Sequence, residues 1–139
     1  PYCHAPGSFI THDLKTNTLF SSDLLGSFCK SNEKFELFRP VADFCLQCTS
    51  LDRVGEDYIC PDQGLMCPAA ALLGFQKELM TSNRALRYAL QVIRGINASI
   101  IAPQHGFIIQ GQKDFDFFYK ILIRANDIGI DGVLKDGLE

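Results

Sequence analysis

Three side chains are of the types that hold metal ions, and each stands beside a rigid element. They are His4 in Pro1-Tyr-Cys-His-Ala-Pro-Gly7, Asp23 after Thr18-Leu-Phe-Ser-Ser22, and His105 in Ile100-Ile-Ala-Pro-Gln-His-Gly106. Two imidazoles and a carboxylate make the ligand set of a catalytic or oxygen-handling metal site. A carboxylate can bridge two cations because each oxygen has lone pairs for a different ion, and neutral imidazoles then complete each shell. Two of them also have a plainer reading: His105 as a core or turn histidine, Asp23 as the N-cap of a following helix. A second group is Cys45-Leu-Gln-Cys48 with Cys60 and Cys67, which has the ligand count of a tetrahedral thiolate site for zinc or an iron–sulfur centre. Its spacing after the first pair is irregular, so ordinary buried thiols or a redox pair account for it as well.

The elements that must position these groups follow from periodicity. Ser99 to Ile109 holds two short β-branched runs, read as a buried strand, a tight connection through Pro103 to Gly106, and a second strand. His105 then sits at a strand end, where a rigid scaffold fixes a side chain and a loop leaves it reachable. Ser8-Phe-Ile-Thr11 and Thr18-Leu-Phe-Ser21 predict a hairpin turning at Lys15-Thr-Asn17, which delivers Asp23 at the end of its second strand. From Phe28 to Pro68 the pattern weakens, with Phe35, Leu37 and Phe38 as anchors of a short helix or loop. Leu72, Leu73, Gln76, Leu79 and Met80 share one helical stripe, and Leu86, Ala89, Leu90, Ile93 and Ile96 continue it. Thr81-Ser-Asn83 between them offers a cap, so two helices or one broken helix are expected, ending near Gly95 with Arg84, Arg87 and Arg94 on a solvated face. A turn at Gln110-Gly-Gln112 leads to a helix from Asp114 to Ile123, apolar over most of its circumference. Asp127 to Glu139 is expected to be a terminal strand and tail, or a linker. Helices alternating with strands make the class α/β.

Composition narrows the partners. At 139 residues, 47% hydrophobic and 21% charged, with eleven Phe and no Trp, the chain has the balance of one globular domain. The net charge of -3 and scattered Lys and Arg provide no basic surface for nucleic acid or an anionic membrane. No apolar run approaches the roughly 20 residues needed to span a bilayer, and no signal peptide opens the chain. A reducing, cytoplasmic setting is therefore expected, with the six Cys as thiols or metal ligands. The start at Pro1 without an initiator Met suggests a piece of something longer.

Four segments together resemble a known family: His4-Ala-Pro-Gly-Ser-Phe9, Thr18-Leu-Phe-Ser-Ser-Asp-Leu-Leu-Gly-Ser-Phe28, Met80-Thr-Ser-Asn-Arg-Ala-Leu86 and Ile100-Ile-Ala-Pro-Gln-His-Gly106. The chain looks like the C-terminal half of a metallo-β-lactamase-like αββα sandwich, and within that superfamily it is most similar to the flavodiiron and oxygen-binding diiron proteins. The resemblance implies that His4 binds one metal, Asp23 bridges both and His105 binds the second. It covers roughly the first 110 residues, so residues 1–112 are read as the half-domain, about 29–68 as a Cys-bearing insertion, and 113–139 as a terminal helix and tail or linker.

The departures are informative. The His-x-Glu-x-Asp-His motif that supplies the family's other ligands is absent, so the missing N-terminal half or a second subunit must complete a dinuclear site. Ala5-Pro-Gly7 stands where flavodiiron reductases carry a Trp and an acid, which favours the oxygen-binding or hydrolase relatives. Neither a flavodoxin domain nor a flavin site is visible. The implied cofactors are two Fe ions, or two Zn ions in a hydrolase of the same fold, with an additional Zn on the Cys group. The expected function is binding or reduction of dioxygen, for sensing or detoxification; the alternatives are a zinc-dependent hydrolase and a metal-free binding or assembly module. Half a sandwich should leave one sheet face uncovered, so a homo-oligomer, or pairing with the missing half, is expected through Phe9, Leu19 and Ile101.

Overall fold

The computed structural model describes residues 7–28, 37–38, 41, 45, 59–60 and 67–137. His4, Cys48 and most of the insertion at 29–68 lie outside these. Strand β1 (Thr11–Asp13) turns back into β2 (Thr18–Ser22); helices α1 (Pro68–Leu79) and α2 (Asn83–Ile96) follow, then β3 (Ile100–Pro103), β4 (Ile109–Gln110), α3 (Gly111–Leu122) and α4 (Ile130–Gly137). The four strands form one sheet in the order β1-β2-β3-β4, with β2 and β3 parallel and both outer pairs antiparallel. The crossover through α1 and α2 is what permits a parallel central pair, and its consequence is that β2 and β3 end at the same edge.

The expected hairpin turn does more than reverse the chain. Asn17 sits at φ 51 in the left-handed region, and its Nδ2 donates to the Asn97 carbonyl and to Ser99 Oγ at 3.3 and 2.8 Å. The Asn17 carbonyl accepts from Ser99 N at 2.9 Å, while its Oδ1 meets His12 Nε2 at 2.8 Å. One residue thus ties the β1–β2 turn to the α2–β3 connection. The pairing of Leu19 with Ile101, two residues further on, inherits its register from that tie.

The core lies between this sheet and the helices. Leu19, Ile101 and Ile109 point into it at 0, 3 and 1% exposure, against α1, the α2 stripe of Leu86, Ala89, Leu90 and Ile93, and the α3 residues Phe115, Phe117 and Phe118. The helices break where the polar triplet places a cap, with Ser82 Oγ accepting from Ala85 N at 3.2 Å. Helix α1 is buried all round from Pro68 to Gln76 rather than along a stripe. Arg87 and Arg94 do not merely face water: Arg87 Nε donates to the Ile123 carbonyl at 3.2 Å, and Arg94 lies 4.7 Å over the Tyr119 ring. Among the described residues no helix is long and apolar enough to cross a membrane.

Three expectations are corrected. The segment after Asp127, read as strand and tail or linker, forms helix α4, anchored by Ile130 N on the Thr81 carbonyl at 3.1 Å. Helix α3 starts at Gly111, inside the expected turn. The uncovered sheet face is not the one holding Leu19 and Ile101, because the chain's own helices bury both. Side chains alternate along a strand, so the open face carries Phe20, 51% exposed, with Thr11 and Ala102 beside it in register.

Candidate metal centre

At the end of β2 the chain leaves regular geometry. A register shift lies between Phe20 and Ser22, so Ser22 rather than Ser21 pairs with Pro103, and Ser22 and Leu25 both take positive φ, at 55 and 65. A left-handed backbone is strained for a fully buried leucine and costs about 1–3 kcal/mol. The turn is held by Leu24 N on the Ser21 carbonyl (3.1 Å), Gly26 N on the Asp23 carbonyl (3.0 Å) and Ser21 Oγ on the Leu24 carbonyl (2.7 Å). Its product is an Asp23 side chain turned inward, the residue only 7% exposed. No helix follows directly, so Asp23 is not an N-cap.

The loop after β3 is clipped to this turn. Gln104 N donates to the Ser22 carbonyl at 2.7 Å and Ser27 N to the His105 carbonyl at 3.2 Å. Gly106, at φ +86, lets the two loops touch: a Cβ there would fall on Ser27 Oγ and lie 2.8 Å from both its N and its O. The outcome is that His105 Nε2 stands 3.3 Å from Asp23 Oδ1. His105 itself is half exposed, so it is neither a core histidine nor a turn residue remote from the other candidates.

The spacing fits a cation held by both groups. Two donors about 2.1 Å from one ion at tetrahedral or octahedral angles stand roughly 3.0–3.4 Å apart. Their chemistry, one imidazole nitrogen and one carboxylate oxygen, suits iron or zinc equally. Among the described residues no three His, Cys, Asp or Glu side chains gather around one point, so the pair by itself is not a complete metal site. His4, the expected third ligand, lies outside the described residues. Cys45 and Cys60 are half-buried and Cys67 is buried; these three do not form a metal-holding group, and Cys48 is not among the described residues.

Behind the pair stand two adjacent residues of α1. Gln76, fully buried, donates from Nε2 to the Asp23 and Gly26 carbonyls at 3.2 and 3.3 Å. Its Oε1 is buried with no hydrogen-bond partner, an arrangement that costs about 1–3 kcal/mol. The Phe75 ring lies 5.7 Å from the His105 ring and 5.0 Å from Phe28. Sequence reasoning placed Gln76 on an apolar helix stripe without giving it a role. Its signal was there, a lone amide among Leu and Met, but its partners become visible only when the Asp23 turn closes on the helix.

A family model described as ODP family beta lactamase matches residues 1–106. The chain is similar in structure to a peroxy diiron species of the chemotaxis sensor ODP (24% identity, TM-score 0.63), covering 95% of this chain and 45% of that one. It is similar also to the apo state of chemotaxis sensor ODP from T. denticola (23%, TM-score 0.64), over 95% of this chain and 43% of that one. Rubredoxin oxygen:oxidoreductase from the anaerobe Desulfovibrio gigas aligns at 17% identity and TM-score 0.56, over 88% of this chain and 25% of that one. The chain therefore spans less than half the length of each. No curated protein matches it. These likenesses agree with the expected α/β architecture and with the resemblance carried by the four segments.

Proposed function

Because the chain belongs to the ODP family of β-lactamase-like proteins, we propose that it is part of a non-heme diiron domain that binds dioxygen, for sensing or detoxification. The observation that carries this reading is the 3.3 Å approach of Asp23 and His105 at the shared edge of two parallel strands. Asp23 would bridge the two irons, His105 would bind one, and His4 the other. The rest of the ligand set comes from outside this chain, either from an N-terminal half of the fold or from a second polypeptide. Relatives more than twice as long as this chain support that division.

Two ferrous ions held in part by His4, Asp23 and His105 would supply the electrons that dioxygen chemistry requires. The work of this chain is to hold geometry. The clipped loops fix the carboxylate and imidazole relative to each other before any ion arrives, so little ordering remains to be done on binding. Asp23 and Phe75 are buried on one side of the site, while the half-exposed His105 leaves the other side open to a small ligand.

Metal analysis of the anaerobically purified full-length protein tests the reading. Two irons per chain, near-ultraviolet and visible absorption after oxidation, and loss of both in Asp23→Asn and His105→Ala support it. Zinc and a colourless protein would instead assign a hydrolase of the same fold, in which a metal-activated water attacks an ester, thioester or amide.

A further inference from the structure

We infer that Gln76 and Phe75, adjacent on helix α1, are positioning residues for the metal centre. Gln76 sets the backbone of the Asp23 turn and Phe75 sets the ring of His105. The inference rests on the proposed ligand roles of Asp23 and His105 and adds what holds them in place.

Two features show that Gln76 does more than fill space. Both of its donations go to one structure, the carbonyls at the two ends of the Asp23–Gly26 turn. Its remaining oxygen is left buried without a partner, so an apolar side chain of the same length would fill the volume without that defect. The turn needs such support because Leu25 holds it at φ 65, a conformation that persists only where the surroundings over-determine it. Phe75 acts on the same assembly from one residue away. A Cβ on Gly26 would lie 2.6 Å from its Cε1, so the turn rests against the ring, and the ring in turn packs on His105. A single turn of helix therefore touches both metal-ligating segments. Outer contacts of this kind orient ligands and change metal affinity by about 10–100-fold when lost.

The test uses the full-length protein loaded anaerobically with ferrous iron. Iron affinity is measured by competition with a chelator, alongside the near-ultraviolet and visible spectrum after oxidation and the thermal midpoint. Gln76→Met and Phe75→Leu are each expected to weaken iron binding about tenfold or more and to shift the absorption bands. Leu90→Ala, a buried change on α2 that lowers the thermal midpoint at least as much, is expected to leave affinity and bands unchanged. If both α1 variants bind iron within twofold of the parent while Asp23→Asn has lost it, the positioning role is overturned and the ligand assignment stands. If Asp23→Asn binds iron like the parent, the ligand assignment falls and the positioning role falls with it. Should Gln76→Met fail to fold, Phe75→Leu carries the same comparison.

Discussion

At Gly106 the requirement for glycine is twofold, and the two parts can be separated. A side chain there meets both the left-handed backbone at φ +86 and the body of Ser27, whereas Gly111, at φ +73, has nothing within 4 Å of a new Cβ. Gly111→Ala should therefore cost only the conformational part, about 1 kcal/mol. Gly106→Ala should cost about 2–3 kcal/mol or more, because the clip between the two ligand loops must open as well. Urea unfolding of the two variants checks the difference, and equal losses would show that the loops are not interlocked. Asp23 and His105 could be picked out from sequence because ligand-type side chains at the ends of β-branched runs are visible one residue at a time. Gly106, Ser27 and Gln76 could not be assigned their roles that way. Each acts through a backbone group some 50 to 80 positions away, as when Gln76 reaches Gly26 at a separation of 50.

Helices and strands divide by how local their signals are. The α1–α2 break was legible because Thr81-Ser-Asn83 is a cap in itself, and Ser82→Ala should destabilise the chain by about 1 kcal/mol through loss of the bond to Ala85 N. Helix α4 was not legible, since Ile128 and Ile130 suggest a strand period while Val133 and Leu134 fit a helix equally. What decides is tertiary: Gly129 packs so closely on Met80 and Thr81 that a Cβ would lie 2.6 Å from the Thr81 carbonyl oxygen, and Asp131 Oδ2 accepts from Asn83 N at 2.7 Å. In α3 the first-turn Asp114 is buried, with its Oδ2 accepting from Val41 N at 3.2 Å. Burial raises its carboxyl above the ordinary 3.8, opposed by the Val41 bond and Lys113. The native state therefore keeps this proton to higher pH than the unfolded chain does, and its contribution to stability is full below the ordinary value and is lost as pH rises through the raised one. Unfolding of Asp114→Asn against pH should lack that loss, so the variant gains on the parent as pH rises from about 3.8. A constant difference between the two across this range would show that the proton is not linked to folding.

For the whole molecule the decisive feature is a sheet with one covered face. Leu19 and Ile101 lie under the helices at 0 and 3% exposure, while Phe20, between Leu19 and the Asp23 turn, is 51% exposed on the other side. Phe9 is 77% and Leu14 82% exposed, so among the described residues the large apolar side chains near β1 and β2 have no second layer against them. A β-sandwich closes such a face with another sheet about 10 Å away. On the proposed reading, an N-terminal half of the fold or a second polypeptide would cover this face and supply the remaining ligands, so that closure of the core and completion of the metal centre would be one event. Among the described residues nothing covers this face, and the isolated 139-residue chain should self-associate through Phe20. Sedimentation velocity from low to high micromolar concentration checks this: the parent chain should shift to larger species as concentration rises, and Phe20→Asp should remain monomeric with an unchanged far-ultraviolet circular dichroism spectrum. Leu19→Asp, one residue away but facing the helices, should instead unfold the chain, because it buries a charge with no partner in the core. A parent chain that stays monomeric throughout would mean that Phe20 needs no cover, and the coupling of core closure to metal binding would lose its structural basis.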